Sequence, residues 1–137
     1  MKIAICASLK AHHQIIKAKN QLEKLGVKVI LPKTTNLIHT QKLKLKDLNA
    51  HKLKHGTINV VHHFDNIKKA DAILVVNPTR KGIKNYIGGN TLMEMGFAYY
   101  LKKPIYLLHP IPKLSYYEEI RDVQPIILNA NFKKIKT

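Results

Sequence analysis

The run Ala72-Ile73-Leu74-Val75-Val76 is unbroken by any polar residue, and Ile105-Tyr106-Leu107-Leu108 repeats this character after an intervening helical pattern. Strands without apolar–polar alternation are typical of parallel sheets whose two faces are both covered by helices. Parallel neighbours need a crossover connection, usually a helix, and the sequence supplies helical patterns between its apolar runs. These two runs therefore predict an α/β fold.

Further apolar runs and helical patterns alternate along the rest of the chain. Strands are predicted at residues 2–7, 27–31, 71–77, 104–108 and 125–128, and helices at residues 13–25, 58–70, 91–101 and 116–122. Gly26 is the expected stop of the first helix. Residues 33–56 are polar and lysine-rich, and either a mobile flap or an irregular helix fits them. The pattern predicts one domain over residues 1–137, with a flavodoxin-like, doubly wound sheet of five parallel strands in the order 2-1-3-4-5.

Composition limits the partners and the compartment. The 137 residues carry a formal net charge of +16, which would ordinarily suggest nucleic acid. Only Arg80 and Arg121 are arginines and the lysines are scattered, so a solvated lysine surface is the preferred interpretation and nucleic-acid binding is not expected.

Cys6 is the sole cysteine, so no disulfide forms within the chain, and no apolar stretch has the length of a membrane span. We expect a cytoplasmic protein without a signal peptide.

Candidate chemistry is concentrated in residues 88–98, where a glycine-bearing turn opens a helix that carries Glu94 among apolar neighbours. In a sheet of this order, the ligand crevice lies at the carboxyl ends of strands one and three. Strand one leads into Ser8 and Lys10, and strand three leads through a loop to Glu94, so both segments converge on one cleft. Glu94 is therefore a candidate for catalysis. The alternative is an acid that offsets the helix dipole.

Two motifs resemble the nucleoside 2-deoxyribosyltransferase superfamily, which includes the 2'-deoxynucleoside 5'-phosphate N-hydrolases. They are Cys6-Ala7-Ser8 after strand one and Met93-Glu94-Met95-Gly96-Phe97-Ala98 after strand three. The glutamate that matches Glu94 is the nucleophile in that family: it attacks the anomeric carbon of deoxyribose, expels the base and forms a glycosyl-enzyme ester. Water or a second base then resolves the ester. A carboxylate suits this chemistry, because it stabilises an oxocarbenium-like transition state and then captures it.

Two positions differ from the family pattern. The aspartate that assists the leaving base is replaced by His63, with Asp65 close by, and either residue is a candidate proton donor. The acid or serine that stands six residues before the nucleophile in the family is Gly88 here. Asn90 or Thr91 would supply the missing polar contact, or else cap the helix.

The resemblance also implies where the substrate binds. Ser8 and Lys10 match the positions that hold the sugar and the 5'-phosphate in the N-hydrolases, although a turn serine and one lysine among many are the alternative interpretation. The loop residues expected to line the site are Gly88, Gly89 and Asn90. Tyr86, or an aromatic residue from a neighbouring subunit, would stack on the base. Family members complete their sites from a second chain, so a homodimer or larger assembly is implied.

The predicted function is cleavage or transfer of the N-glycosidic bond of a 2'-deoxynucleoside or its 5'-monophosphate, with Glu94 as the catalytic nucleophile. The rival hypothesis is a non-catalytic nucleotide-binding or sensing module on the same fold. No cofactor is expected. No metal is expected either, because His51 and His55 have i, i+4 spacing but no nearby carboxylate or cysteine completes a site.

Overall fold

Five parallel strands form the central sheet of the computed structural model, in the order β2-β1-β3-β4-β5. The strands are β1 (Lys2–Cys6), β2 (Lys28–Ile30), β3 (Ala72–Val75), β4 (Ile105–Leu107) and β5 (Ile126–Ile127). The predicted flavodoxin-like fold and its strand order are confirmed. The structure describes the backbone of residues 1–137 and the side chains of all of them except 45, 48, 49 and 52–59.

Helices connect the strands. They are α1 (His12–Lys24), α2 (Lys33–His39), α3 (Leu48–Lys69), α4 (Gly89–Tyr100) and α5 (Tyr117–Asp122). Short 3-10 turns occur at Leu9–Ala11, Leu45–Asp47 and Phe132–Lys134. As predicted, α1 stops at Gly26, which has a φ of +78° and donates its N–H to the Glu23 carbonyl at 3.0 Å. Glycine adopts this left-handed conformation without steric cost.

Of the two alternatives predicted for the lysine-rich segment 33–56, a flap or an irregular helix, the structure has helix, because the segment forms α2 and the first part of α3. Helix α3 begins at Leu48, well before the predicted start near residue 58. The buried residues of α2 are Thr34 and Thr35, so this helix carries no apolar stripe that the sequence could reveal. The bounds of α2 could not be read from an apolar stripe, because its most buried side chains are the small polar Thr34 and Thr35.

Both faces of the sheet are buried, which explains the unbroken apolar runs. Successive residues of a strand point to opposite faces. On one face, Ile5 and Leu74 pack in a core layer with Ile15 of α1. On the other face, Cys6 and Val75 pack with Met95 of α4 and with residues of α3. All of these side chains are fully buried, and neither face of β3, or of β1 from Ile3 onward, reaches solvent.

The carboxyl edge of the sheet is where β1 and β3 end together. Cys6 and Val75 are partners in the register of these strands. At the opposite edge, the Asp71 carboxylate accepts a hydrogen bond from the Lys2 backbone N–H at 2.7 Å and fixes the start of β3. Within the described part of the chain, no helix combines the length and the apolar character that crossing a bilayer requires.

Candidate active site

A small pocket opens at the carboxyl edge of the sheet, between the end of β1 and the first turns of α4. Its volume is about 110 Å³, room for about four water molecules and close to the volume of one sugar ring. The residues that line it are Ala7, Leu9, Pro32, Lys33, Thr34, Val60, His63, Asn90, Met93 and Glu94. A larger groove of about 480 Å³ lies between α1 and residues 130–133, but its lining includes no carboxylate. The small pocket is therefore the candidate active site.

Glu94 is the sixth residue of α4, in the second turn of the helix. The helix dipole acts mainly within the first turn, so the geometry does not favour a role in offsetting it. Burial raises the pKa of Glu94 to about 8, while a hydrogen bond with Cys6 acts in the opposite direction. The Glu94 carboxyl therefore holds its proton most of the time at neutral pH. Nucleophilic attack requires that this proton be lost.

Cys6 ends β1, and its fully buried side chain lies between Glu94 and His63. The Cys6 Sγ lies 3.5 Å from His63 Nε2 and within 4.8 Å of a Glu94 carboxyl oxygen. Burial, together with the neighbouring Glu94 charge, raises the pKa of the Cys6 thiol well above its usual value. Cys6 thus stays a neutral S–H group. The sequence placed Cys6 within the predicted strand 2–7 and gave no sign of this contact.

His63 is buried on α3 and its ring is hydrogen-bonded on both nitrogens. Nε2 lies 2.9 Å from the Ile5 carbonyl oxygen, which only accepts, so Nε2 carries the hydrogen. Nδ1 is then the acceptor for the Asn66 side-chain amide at 3.3 Å. Burial lowers the pKa of His63 to about 4, although the bond to Ile5 acts in the opposite direction. His63 is therefore a neutral imidazole that joins α3 to β1.

Cys6, His63 and Glu94 place a thiol, a ring nitrogen and a carboxyl oxygen within 4.8 Å of one another. These groups are of the kinds that zinc accepts. His63, however, presents an N–H to the group while it donates to Ile5, so Nε2 has no lone pair for a metal. We interpret the Cys6–His63–Glu94 cluster as hydrogen-bonded. The expected absence of a metal stays a prediction, and the side chain of His55 lies outside the described residues.

Arg80, which the sequence did not single out for the site, reaches the loop that follows β1. It lies between β3 and α4, and its Nη1 donates a hydrogen bond to Ser8 Oγ at 2.5 Å. Ser8 also caps the 3-10 turn, because its Oγ accepts from the Lys10 backbone N–H at 3.4 Å. A guanidinium, a hydroxyl and the N–H groups of a helical start together suit a phosphate. The only sequence signal for Arg80 is its being an arginine in a lysine-rich chain.

Asn77 holds the loop that carries Arg80. Its fully buried side chain donates to the carbonyl oxygens of Asn85 at 3.3 Å and His109 at 3.1 Å, and accepts from the His109 N–H at 3.0 Å. Tyr86 lies in the same loop, with its ring centroid 5.9 Å from the Arg80 guanidinium carbon. Tyr86 is thus a neighbour of Arg80 and does not line the pocket.

The remaining predicted site residues divide between the pocket and its surroundings. Gly88 is the N-cap of α4, with no side-chain capping bond, so the idea that Asn90 or Thr91 caps this helix is wrong: α4 begins earlier, at Gly89. Asn90 lines the pocket and Thr91 is buried. Lys10 and Asp65 are exposed and are not among the lining residues. The structure therefore brings Glu94, His63 and Asn90 together and leaves Asp65 outside.

The fold is similar to that of two solved structures. A 2-deoxyribosyltransferase from Bacillus psychrosaccharolyticus aligns with a TM-score of 0.61 and 20% identity, covering 90% of this chain and 82% of that chain. A CMP N-glycosidase from Clostridium botulinum aligns with a TM-score of 0.50 and 15% identity, covering 94% and 90%. No protein-family model matches the sequence, and no curated protein matches it either. At these identities the likeness confirms the resemblance to nucleoside 2-deoxyribosyltransferases at the level of the fold.

Proposed function

We propose that this protein is an enzyme that cleaves or transfers the N-glycosidic bond of a 2'-deoxynucleoside or its 5'-monophosphate. The observation that carries the proposal is the position of Glu94, whose carboxyl lies against the end of β1 in a pocket of sugar-ring size. The two structures of similar fold, a 2-deoxyribosyltransferase and a CMP N-glycosidase, support the same class of reaction.

Glu94 is the nucleophile in this proposal. One carboxylate oxygen attacks the anomeric carbon, the carbon–nitrogen bond to the base breaks, and a glycosyl ester of Glu94 forms. A water molecule, or the nitrogen of a second base, then attacks the same carbon and releases the carboxylate. Because burial raises the pKa of Glu94 to about 8, the first step starts from the deprotonated minority at neutral pH.

The leaving base needs a proton, and His63 and Asp65 stay the candidate donors. His63 lines the pocket, whereas Asp65 is exposed and does not. For His63 to act as an acid, its ring must first take up a second proton at Nδ1, which burial opposes by lowering the pKa of His63 to about 4. The imidazolium would then give the Nε2 proton to the base and return to the neutral ring. Comparison of His63→Gln with Asp65→Asn tests the pair, since the donor's variant loses base release most for the substrates with the poorest leaving groups.

A 5'-monophosphate is the preferred form of the substrate. The hydrogen bond from Arg80 to Ser8 places a guanidinium beside a hydroxyl, and Lys10 lies in the adjoining turn. Together they support a site for the phosphate next to the pocket. Lys33, exposed at the pocket lining, adds a further positive charge. Charge-assisted bonds from an arginine to a phosphate are stronger than neutral ones, so these contacts favour the nucleotide over the free nucleoside.

We also propose that the protein is a homodimer or a larger homo-oligomer. Three apolar or aromatic side chains on α3 and α4 are half or more exposed: Val61 of α3 at 56%, Met93 of α4 at 50% and Tyr100 of α4 at 81%. Subunit contact over α3 and α4 would cover them and bring a second chain close to the pocket. Light scattering coupled to gel filtration checks the assembly.

The experiment that tests the function uses a panel of 2'-deoxynucleosides and their 5'-monophosphates, with chromatographic measurement of free base. We expect base release from the wild type and a loss of at least about a thousandfold in Glu94→Gln, because the amide neither attacks nor stabilises positive charge. Adding a second free base separates transfer from hydrolysis. Binding of a monophosphate without base release from any member of the panel would favour the alternative, a nucleotide-binding or sensing module, for which the neutral His63 gives some support.

A further inference from the structure

Cys6 connects two polar groups that face the pocket. On one side of its sulfur lies the N–H of His63, with Nε2 at 3.5 Å, and on the other side lies the Glu94 carboxyl. The hydrogen on Nε2 points to the Ile5 carbonyl at 2.9 Å and is shared at most weakly with the sulfur. The thiol hydrogen therefore remains available to Glu94, whose carboxyl oxygen lies within 4.8 Å of the sulfur.

Few other groups in the described part of the chain balance a charge on Glu94. Helix α3 contributes the neutral His63, and the segment at the start of α2 contributes Lys33, whose side chain is exposed. The pocket residues that α4 itself adds, Asn90 and Met93, are uncharged. Among described residues, no ion pair reaches Glu94. A carboxylate in this setting depends on hydrogen-bond donors.

We propose that Cys6 is a positioning residue, whose thiol donates a hydrogen bond that orients the Glu94 carboxylate and favours its ionised form. This inference rests on the proposed function, in which Glu94 is the nucleophile. A thiol suits the position because it stays neutral: a charged donor would bind the carboxylate too firmly for attack. Because β1 and α3 hold the sulfur through the strand register and His63, the donor approaches the carboxyl from a fixed direction.

Three variants test the inference. Cys6→Ala removes the donor, whereas Cys6→Ser keeps one with a stronger O–H dipole. Val75→Ala is the matched control, because Val75 is the register partner of Cys6, is equally buried, and lies in the same core layer. Each variant is labelled with ¹³C at the glutamate side-chain carboxyl and titrated by NMR. The chain has four glutamates, and the signal missing from Glu94→Gln identifies Glu94.

In Cys6→Ala, we expect Glu94 to titrate about one pH unit higher than in the wild type, with kcat/KM for base release about tenfold lower at pH 7. Cys6→Ser should titrate at or below the wild-type midpoint and keep its activity. Val75→Ala should lose stability without moving the titration. Coincident titration curves for Cys6→Ala and the wild type, or equal shifts in the alanine and serine variants, overturn the inference.

The NMR titration needs no turnover, so the two proposals can fail separately. If base is released but the titration curves coincide, the reaction stands and the role of Cys6 is wrong. If no substrate releases base, the reaction is wrong and so is a catalytic role for Cys6, even where its hydrogen bond to Glu94 is confirmed by the shifted curve.

Discussion

Replacing Glu94 with glutamine should stabilise the protein in alkaline solution and change its stability much less in mild acid. Burial raises the pKa of Glu94 from 4.5 to about 8, so between these values the folded chain holds a proton that the unfolded chain has released. The free energy of unfolding of the wild type therefore declines as pH rises through this interval and levels off above it. At about 1.4 kcal/mol for each pH unit, the interval corresponds to about 5 kcal/mol. Glutamine is nearly isosteric and never ionises.

Urea unfolding, followed by circular dichroism at pH 5, 7 and 9, measures the effect as the difference between the variant and the wild type. Taking the difference cancels the contributions of the titrating groups that do not interact with Glu94. We expect a difference of about 1 kcal/mol at pH 5 and of about 5 kcal/mol at pH 9. Glu118→Gln, at an exposed position in the first turn of α5, is the control and should show no such trend. A difference that stays constant from pH 5 to pH 9 would show that Glu94 ionises like an exposed carboxyl and refute the reasoning.

Two further predictions concern residues around Glu94. His63→Ala should lower the free energy of unfolding by about 2–4 kcal/mol, since it leaves a cavity and an unpaired Ile5 carbonyl, and His63→Gln, which keeps an N–H donor, should recover part of this loss in the same urea assay. Arg80→Ala should weaken binding of a deoxynucleoside 5'-monophosphate by about tenfold to a hundredfold in calorimetry and leave the free nucleoside little affected. Arg121→Ala on α5 is its control, and an equal loss for both ligands would contradict a phosphate contact.

The strands could be predicted because each is a short apolar run between helical patterns. Residues 72–76 signal a strand buried on both faces, and the observed β3 packs its alternate side chains into two separate core layers. The end of α1 could be predicted because a glycine is needed where the chain turns left-handed at Gly26. For residues 33–56 the sequence left a flap and an irregular helix open and did not give the bounds of α2, because the buried Thr34 and Thr35 look like surface residues in sequence.

The candidate site was only partly accessible to sequence reasoning. Glu94 stands out because an acid follows a glycine turn at a predictable sheet edge. The pKa of Glu94 depends on Cys6 as well as on burial. The hydrogen on His63 Nε2 is fixed by the Ile5 carbonyl, which lies 58 residues away along the chain. Arg80 meets Ser8 across 72 residues, in a loop that the buried Asn77 holds. Such contacts follow from how the strands are registered, and no local pattern encodes them.

The size of the pocket affects how the two parts of a nucleotide, the sugar and the base, would be recognised. In the proposed function, the sugar ring takes up the enclosed volume of about 110 Å³, beyond which the pocket opens toward solvent. A nucleotide with its anomeric carbon at Glu94 leaves the base at the mouth, near side chains such as the half-exposed Met93. Apolar contacts that face solvent discriminate weakly between bases. A site rejects a wrong base strongly only when that base would leave buried polar groups of the protein without hydrogen-bond partners. The proposed function therefore predicts strict selection of the sugar and its phosphate and tolerance of different bases.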